Sequence, residues 1–86
     1  SQIVNGNQPV MHLTYSDIKK LAKEKQLEYV AIGKMIIKAK LKDGAIITVQ
    51  KVPGDTTLIP ILDKNNIPYG AMNDSNWLND LIFGWI

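Results

Sequence analysis

The stretch Met35-Ile36-Ile37-Lys38-Ala39-Lys40-Leu41-Lys42-Asp43-Gly44-Ala45-Ile46-Ile47-Thr48-Val49-Gln50 decides the fold. Met35, Ile37, Ala39 and Leu41 fall on one parity and Ile36, Lys38, Lys40 and Lys42 on the other, the period-2 alternation of a strand with one dry face and one wet face. Asp43-Gly44 then supplies the positive backbone angles of a tight turn, and the β-branched run Ala45 to Gln50 returns as the second strand. Residues 35–50 are therefore predicted to form a hairpin.

Working outward, Leu27-Glu28-Tyr29-Val30-Ala31-Ile32 is rich in β-branched and aromatic residues and ends at Gly33, which predicts a further strand. Before it, Ile18, Leu21 and Ala22, with the aliphatic stem of Lys25, recur at helical spacing, while Lys19, Lys20, Lys23 and Glu24 take the other face. Thr14 followed three residues on by Asp17 resembles a helix-start box, so a helix of about three turns should begin within Thr14 to Ser16. Val10, Met11 and Leu13 support a short strand ahead of it, and residues 1–8 show no periodicity and read as a mobile lead-in. On the other side of the hairpin, Leu58, Ile61 and Leu62 define a second helix with Asp55, Thr56 or Thr57 as its N-cap. Pro60 falls in its first turn, where no intrahelical donor is needed. Asn65-Asn66 closes that helix, and Ile67-Pro68-Tyr69-Gly70-Ala71 is a short segment restricted by Pro68 to the edge of a sheet. A third helix, capped by Asn73, Asp74 or Ser75, would run from Trp77 to Ile86. The fold class is α+β, a small antiparallel-rich sheet packed with two or three helices. The 86 residues fit one domain, over about residues 9–86, and cannot hold two independent cores.

Composition narrows the chemistry. The chain is 45% hydrophobic and 21% charged, as expected of a folded globular domain. Its net charge of +2 comes from lysine alone, so the bidentate arginine contacts that read phosphates and bases are missing and a nucleic-acid partner is disfavoured. Without cysteine there is no thiolate nucleophile, and with His12 as the one imidazole neither a catalytic triad nor a multi-histidine metal site can be assembled, so His12 is expected to be structural. The eight carboxylates sit at caps, turns or among lysines, and Ser16 and Ser75 stand at expected helix starts rather than in a nucleophile elbow. No phosphate-binding glycine loop and no H-E-x-x-H helix occurs. No catalytic residue, metal ligand or cofactor-binding residue is expected. Asn73-Asp74-Ser75 matches a glycosylation pattern of three residues, which also marks a loop and cap.

Two surfaces remain as candidates. Lys38, Lys40 and Lys42 form a same-face stripe that could meet phosphates or anionic lipid, although alternating lysines also keep an exposed sheet soluble. Large apolar residues crowd the segment from Trp77, and Trp77, Phe83, Trp85 and Ile86 are candidate contacts for a partner or for a membrane surface, where tryptophan favours the interface. The other reading of that segment is a terminal helix docked on the core.

Taken in order, these segments resemble the extracytoplasmic domain of the FtsH family of membrane-bound AAA+ zinc metalloproteases. Leu13-Thr14-Tyr15-Ser16-Asp17-Ile18 is similar to the family's Y-S-x-[FL] start, with Ile18 where a phenylalanine is frequent. Val30-Ala31-Ile32-Gly33, Ile36-Ile37-Lys38-Ala39, Lys42-Asp43-Gly44, the run from Val52 to Leu62, and Ile67 to Ala71 follow in the family's sequence of motifs. Trp77 to Ile86 resembles the aromatic-rich run that leads into a second transmembrane helix. The resemblance spans about residues 10–86. It implies a non-catalytic domain on the extracytoplasmic face of a membrane, in the periplasm of a bacterium by preference or in a mitochondrial compartment of a relative. It also implies a parent that is a homo-hexameric ATP-dependent zinc metalloprotease, using ATP, magnesium and zinc, and acting in protein quality control. The domain would assist hexamer assembly and contact membrane-protein substrates or regulatory membrane proteins. The alternative is a free-standing module that holds anionic lipid or nucleic acid through the lysine stripe.

Overall fold

The computed structural model of the chain describes residues 10–72. Its elements, in chain order, are β1 (Val10–Leu13), α1 (Tyr15–Lys23), β2 (Leu27–Ile32), β3 (Ile36–Leu41), β4 (Ile46–Gln50), α2 (Leu58–Lys64) and β5 (Tyr69–Ala71). The five strands make one sheet in the order β1-β4-β3-β2-β5. The pairs β2–β3 and β3–β4 are antiparallel, while β1 joins β4 and β5 joins β2 in parallel. The α+β class is thus as read from the sequence, with an antiparallel centre and a parallel strand at each edge. The expected third helix lies outside the described residues, as does the expected lead-in.

The hairpin forms over the predicted residues, but its turn differs in detail. Only Gly44 takes a positive φ, at 96°, and Asp43 does not. The Gly44 N–H donates to the Leu41 carbonyl at 2.9 Å and the Leu41 N–H to the Ala45 carbonyl at 2.8 Å. This is a type I turn closed by a glycine in the left-handed region, the three-residue hairpin solution rather than the two-residue one. Asp43 acts through its side chain, Oδ1 accepting from the Ala45 N–H at 2.9 Å.

Helix α1 starts where the box predicted. Thr14 Oγ1 accepts from the Asp17 N–H at 3.1 Å, and Asp17 Oδ2 accepts from the Thr14 N–H at 3.0 Å. Both donors would otherwise lack an intrahelical partner. Thr14→Ala is expected to lower stability by about 1 kcal/mol, measured as a shift of the urea midpoint, and Thr14→Ser should restore most of it. At the other end, Lys25 takes a left-handed φ of 59° and the Gln26 N–H reaches back to the Leu21 carbonyl at 2.9 Å. Lys25 therefore terminates the helix and is exposed, and its stem does not extend the apolar face as expected. Asn66, with φ 57° and Ile67 N–H to Leu62 carbonyl at 2.9 Å, ends α2 in the same way.

Both helices pack on one face of the sheet. Ile18 and Ala22 of α1 and Leu58 and Leu62 of α2 meet Val30, Ile37, Ala39, Ile47 and Val49 in a single buried cluster with Leu27 and Ile67. Met35, placed by parity on that dry face, lies before β3 begins and is 71% exposed. No described element covers the opposite face of the sheet.

Candidate functional site

The sheet face that no described element covers gathers the chemistry-bearing residues. Across the strands, register places His12 of β1 beside Thr48 of β4, Thr48 beside Lys38 of β3, Lys38 beside Ala31 of β2 and Ala31 beside Gly70 of β5. The neighbouring row runs Val10, Ile46, Lys40, Tyr29. Side chains on one row of a sheet stand on one face, so His12, Lys38, Lys40 and Tyr29 share a surface. Lys38 and Lys40 are half-buried, yet Ile46 and Thr48 are each only 8% exposed and Ala31 only 1%. The lysine stems and the Tyr29 ring stand among them on this face. The ring reaches over β5, where a Cβ on Gly70 would sit 2.5 Å from the Tyr29 hydroxyl oxygen.

The predicted lysine stripe is only partly continuous. Lys38 borders a shallow depression of about 420 Å³ with His12, Ile36, Thr48 and Gln50. Lys42 lies past the end of β3, after a register shift between Leu27 and Tyr29, and lines a separate cleft with Lys25, Glu28, Asn65 and Asn66. That cleft sits where both helices end, and carbonyl-rich helix C-termini do not favour anions. His12, expected to be structural, is exposed on β1 and joins Lys38. Its parity with Val10 was visible in the sequence, but the parallel pairing of β1 with β4 that carries it beside Thr48 was not. Trp77, Phe83, Trp85 and Ile86 lie outside the described residues.

On the helix side, one polar cluster ties α1 to the loop before α2. The Tyr15 hydroxyl donates to Asp55 Oδ2 at 2.6 Å, the Thr57 N–H donates to the same oxygen at 3.0 Å, and the Thr57 hydroxyl bonds both carboxylate oxygens. Asp55 was read as one of three possible N-caps. Thr57 takes that position without a side-chain capping bond, and Asp55 instead holds the loop that leads into the helix. The Lys19 ammonium lies 5.6 Å from the centre of the Tyr15 ring. Donation from Tyr15 and Thr57, with the Lys19 charge nearby, holds the Asp55 carboxyl down at about 2. Burial, then the bond to Asp55 and its charge, pushes the Tyr15 phenol up to about 12.

The sign of the resulting pH dependence is set by those shifts. The Asp55 contribution is full above its unfolded value near 3.8 and is lost as pH falls through about 2. The Tyr15 contribution is full below 10.0 and is lost as pH rises through about 12. Asp55→Asn is expected to lower the melting temperature at neutral pH, and the gap from the parent chain should close as pH falls from 3.8 to 2. A gap that stays constant over that range would show that the carboxylate bond contributes nothing.

Among the described residues no three histidine, cysteine or acidic side chains come together in a way that could hold a metal ion. Neither zinc nor a nucleotide phosphate has a fitting set of residues here, since the chain has one histidine, no cysteine and no phosphate-binding glycine loop. No described helix is long and apolar enough to cross a membrane.

Comparison with known proteins supplies the remaining observation. No family model matches the chain. Curated proteins do. The chain is 36% identical over 77 residues to the ATP-dependent zinc metalloprotease FtsH of two Helicobacter pylori strains, 26695 and J99. It is 35% identical over 78 residues to the same-named protein of Helicobacter felis. Each alignment covers 87% of this chain and 12% of the relative, so the chain spans about an eighth of the length of the proteins it matches.

Proposed function

The chain belongs to the FtsH family of ATP-dependent zinc metalloproteases, and from that premise we propose that it is a non-catalytic, extracytoplasmic domain of such a protease, tethered to a membrane and assisting assembly of the parent. The observation that carries this reading is the disproportion of the match. A sequence that aligns over 87% of its own length with 12% of a protease, and whose residues fit neither zinc nor ATP, is a part of the enzyme other than its catalytic machinery. The parent's ATP hydrolysis, zinc-dependent proteolysis and quality-control role would then reside in segments beyond this chain.

Three physical features support an assembly and contact role. The domain is small, so its own core leaves limited stability to spare and contacts between copies would add to it. One sheet face is covered by no described element. The sequence after Met72 is rich in aromatic and aliphatic residues, as expected near a bilayer. In this reading the domain stands on the outer side of the membrane, the bacterial periplasm, and its partners are further copies of itself, membrane-protein substrates and regulatory membrane proteins.

The test is deletion of residues 10–72 from the parent protease, followed by crosslinking in its membrane. The expected result is a marked loss of hexamer with the polypeptide still inserted. Hexamer yield unchanged by the deletion would remove the assembly role.

A further inference from the structure

We propose that the end of the sheet formed by the turn Gly33-Lys34-Met35 and by Val52, just past β4, is a lipid-contacting tip: the Met35 and Val52 side chains enter the interfacial layer of a bilayer while Lys34 meets the phosphates of its headgroups. This rests on the membrane-tethered reading above and adds to it the part of the domain that touches the lipid.

Apolar side chains are exposed here where polar ones are the rule. Met35 has the parity of the dry face, yet it stands before β3 begins and is 71% exposed, and Val52 is 46% exposed. The Lys51 N–H donates to the Met35 carbonyl at 2.9 Å, which continues the β3–β4 ladder one pair past Ile36 and Gln50 and brings both residues to the same end of the ribbon. Turns favour glycine, asparagine, aspartate and serine. The turn at the other end of β3 follows that preference with Lys42-Asp43-Gly44, so the two ends of one strand differ in polarity. Nor is this end slack. The Gly33 N–H donates to the Ile36 carbonyl at 2.9 Å and the Gly33 carbonyl accepts from the Lys51 ammonium at 3.0 Å, so the turn is tied to β3 and to the residue after β4 while Met35 stays in solvent. Exposed apolar side chains gathered at one place with polar groups around them mark a contact.

Charge and position favour lipid over a protein partner. Segments 33–36 and 50–54 contain Lys34 and Lys51 and no acidic residue, and Lys34 is exposed beside Met35. An apolar tip flanked by lysine has the pattern of an interfacial anchor, in which the apolar side chains reach the acyl boundary and the ammonium groups stay at the level of the phosphates. Met72, the last described residue, borders the same tip. Its N–H donates to the Ile32 carbonyl at 2.9 Å, and its sulfur lies 3.3 Å from where a Cβ on Gly33 would stand. The sequence that follows it contains Trp77, Phe83 and Trp85, residue types that favour a membrane interface.

The chain contains no cysteine, so one added before Ser1 couples all 86 residues to a maleimide lipid at a single point. The lipid belongs to a bilayer nanodisc of phosphatidylcholine, with or without phosphatidylglycerol, that also carries a nitroxide-labelled lipid. Line broadening is read at side-chain methyl groups: Met35 and Val52 at the tip, Ala45 beside the hairpin turn, and Ile59, 37% exposed, on α2. The expected result is broadening at Met35 and Val52 that disappears when the nitroxide is reduced, and far less at Ala45 and Ile59. Met35→Ser should lower the inserted population, read at Val52, about fivefold. Lys34→Gln should lower it about fivefold on phosphatidylglycerol discs only, with the circular dichroism spectrum unchanged by either substitution. No broadening at Met35, equal broadening at Ala45 or Ile59, or broadening at Val52 that Met35→Ser leaves unchanged overturns the proposal. So does a perturbation of Met35 produced by a second, unanchored copy of the chain in the absence of lipid, which would make the tip a protein contact. Because the anchor is artificial, failure here leaves the parentage of the domain untouched. Failure of the parentage, read from the parent gene, leaves the nanodisc result standing as a property of this chain.

Discussion

Leu62→Ala is expected to destabilise the domain by about 2–5 kcal/mol, a large share of the roughly 4–13 kcal/mol that a chain of this size possesses. Helix α2 has seven residues, too few to be stable alone, so its existence depends on what it buries. Leu62 is fully buried and Leu58 is 4% exposed, and both join the cluster that contains Ile37, Ile47 and Val49. Truncation of Leu62 removes three carbons from the centre of that cluster and leaves a cavity that a sheet held by hydrogen bonds on both sides can close only in part. The same helix carries Asp63, which accepts from the Tyr69 hydroxyl at 2.8 Å, and the Tyr15–Asp55 bond leads into it, so loosening of α2 should spread to β5 and α1. Urea unfolding followed by far-ultraviolet circular dichroism measures the loss. Ile59→Ala, at a position 37% exposed on the same helix, is the control and should cost within about 0.5 kcal/mol. Equal effects of the two substitutions would contradict the packing described.

Gly33→Ala should cost about 1–3 kcal/mol through overpacking of a tight connection. Gly33 links β2 to β3, its N–H donating to the Ile36 carbonyl at 2.9 Å. A Cβ at this position would lie 2.9 Å from that same carbonyl oxygen, a backbone atom that cannot swing away as a side chain could. The Gly33 carbonyl also accepts from the Lys51 ammonium at 3.0 Å, and the Met72 sulfur would lie 3.3 Å from the added carbon. Four segments meet here: the end of β2, the start of β3, the residue after β4 and the residue after β5. Opening the connection should therefore shorten amide-exchange protection at position 33, whose N–H donates to the Ile36 carbonyl, and at Met72, whose N–H donates to the Ile32 carbonyl at 2.9 Å, before protection falls in the central β3–β4 pair. Unchanged stability, or loss spread evenly over the sheet, would show that the close approach to Ile36 is not a constraint.

The local elements were legible because each rests on neighbours in sequence. Alternation in residues 35–50 gave the hairpin, Thr14 and Asp17 gave the start of α1, Asn65-Asn66 the end of α2, and Pro68 the edge position of β5. Pairing across long separations was not legible. Nothing in Val10 to Leu13 shows that it lies parallel to β4, some three dozen residues on, because parallel pairing leaves no turn signal and both strands offer apolar residues at each parity. For the same reason the joining of His12 to Lys38 escaped the sequence. The end of α1 was obscure for a different reason: a lysine, not a glycine, takes the left-handed position, and side-chain chemistry does not announce that. The lysine parity was read correctly, yet its meaning changed once the fold placed both helices on the other face. What looked like an ordinary wet side became the face that no described element covers.

The most direct measurement is the sequence of the parent gene on both sides of this chain. The account predicts an apolar span of about 20 residues on each side, followed downstream by a phosphate-binding G-x-x-x-x-G-K-[ST] loop and then an H-E-x-x-H helix. A stop codon soon after Ile86, or a downstream region with neither motif, would contradict the assignment of this domain to a membrane-tethered protease.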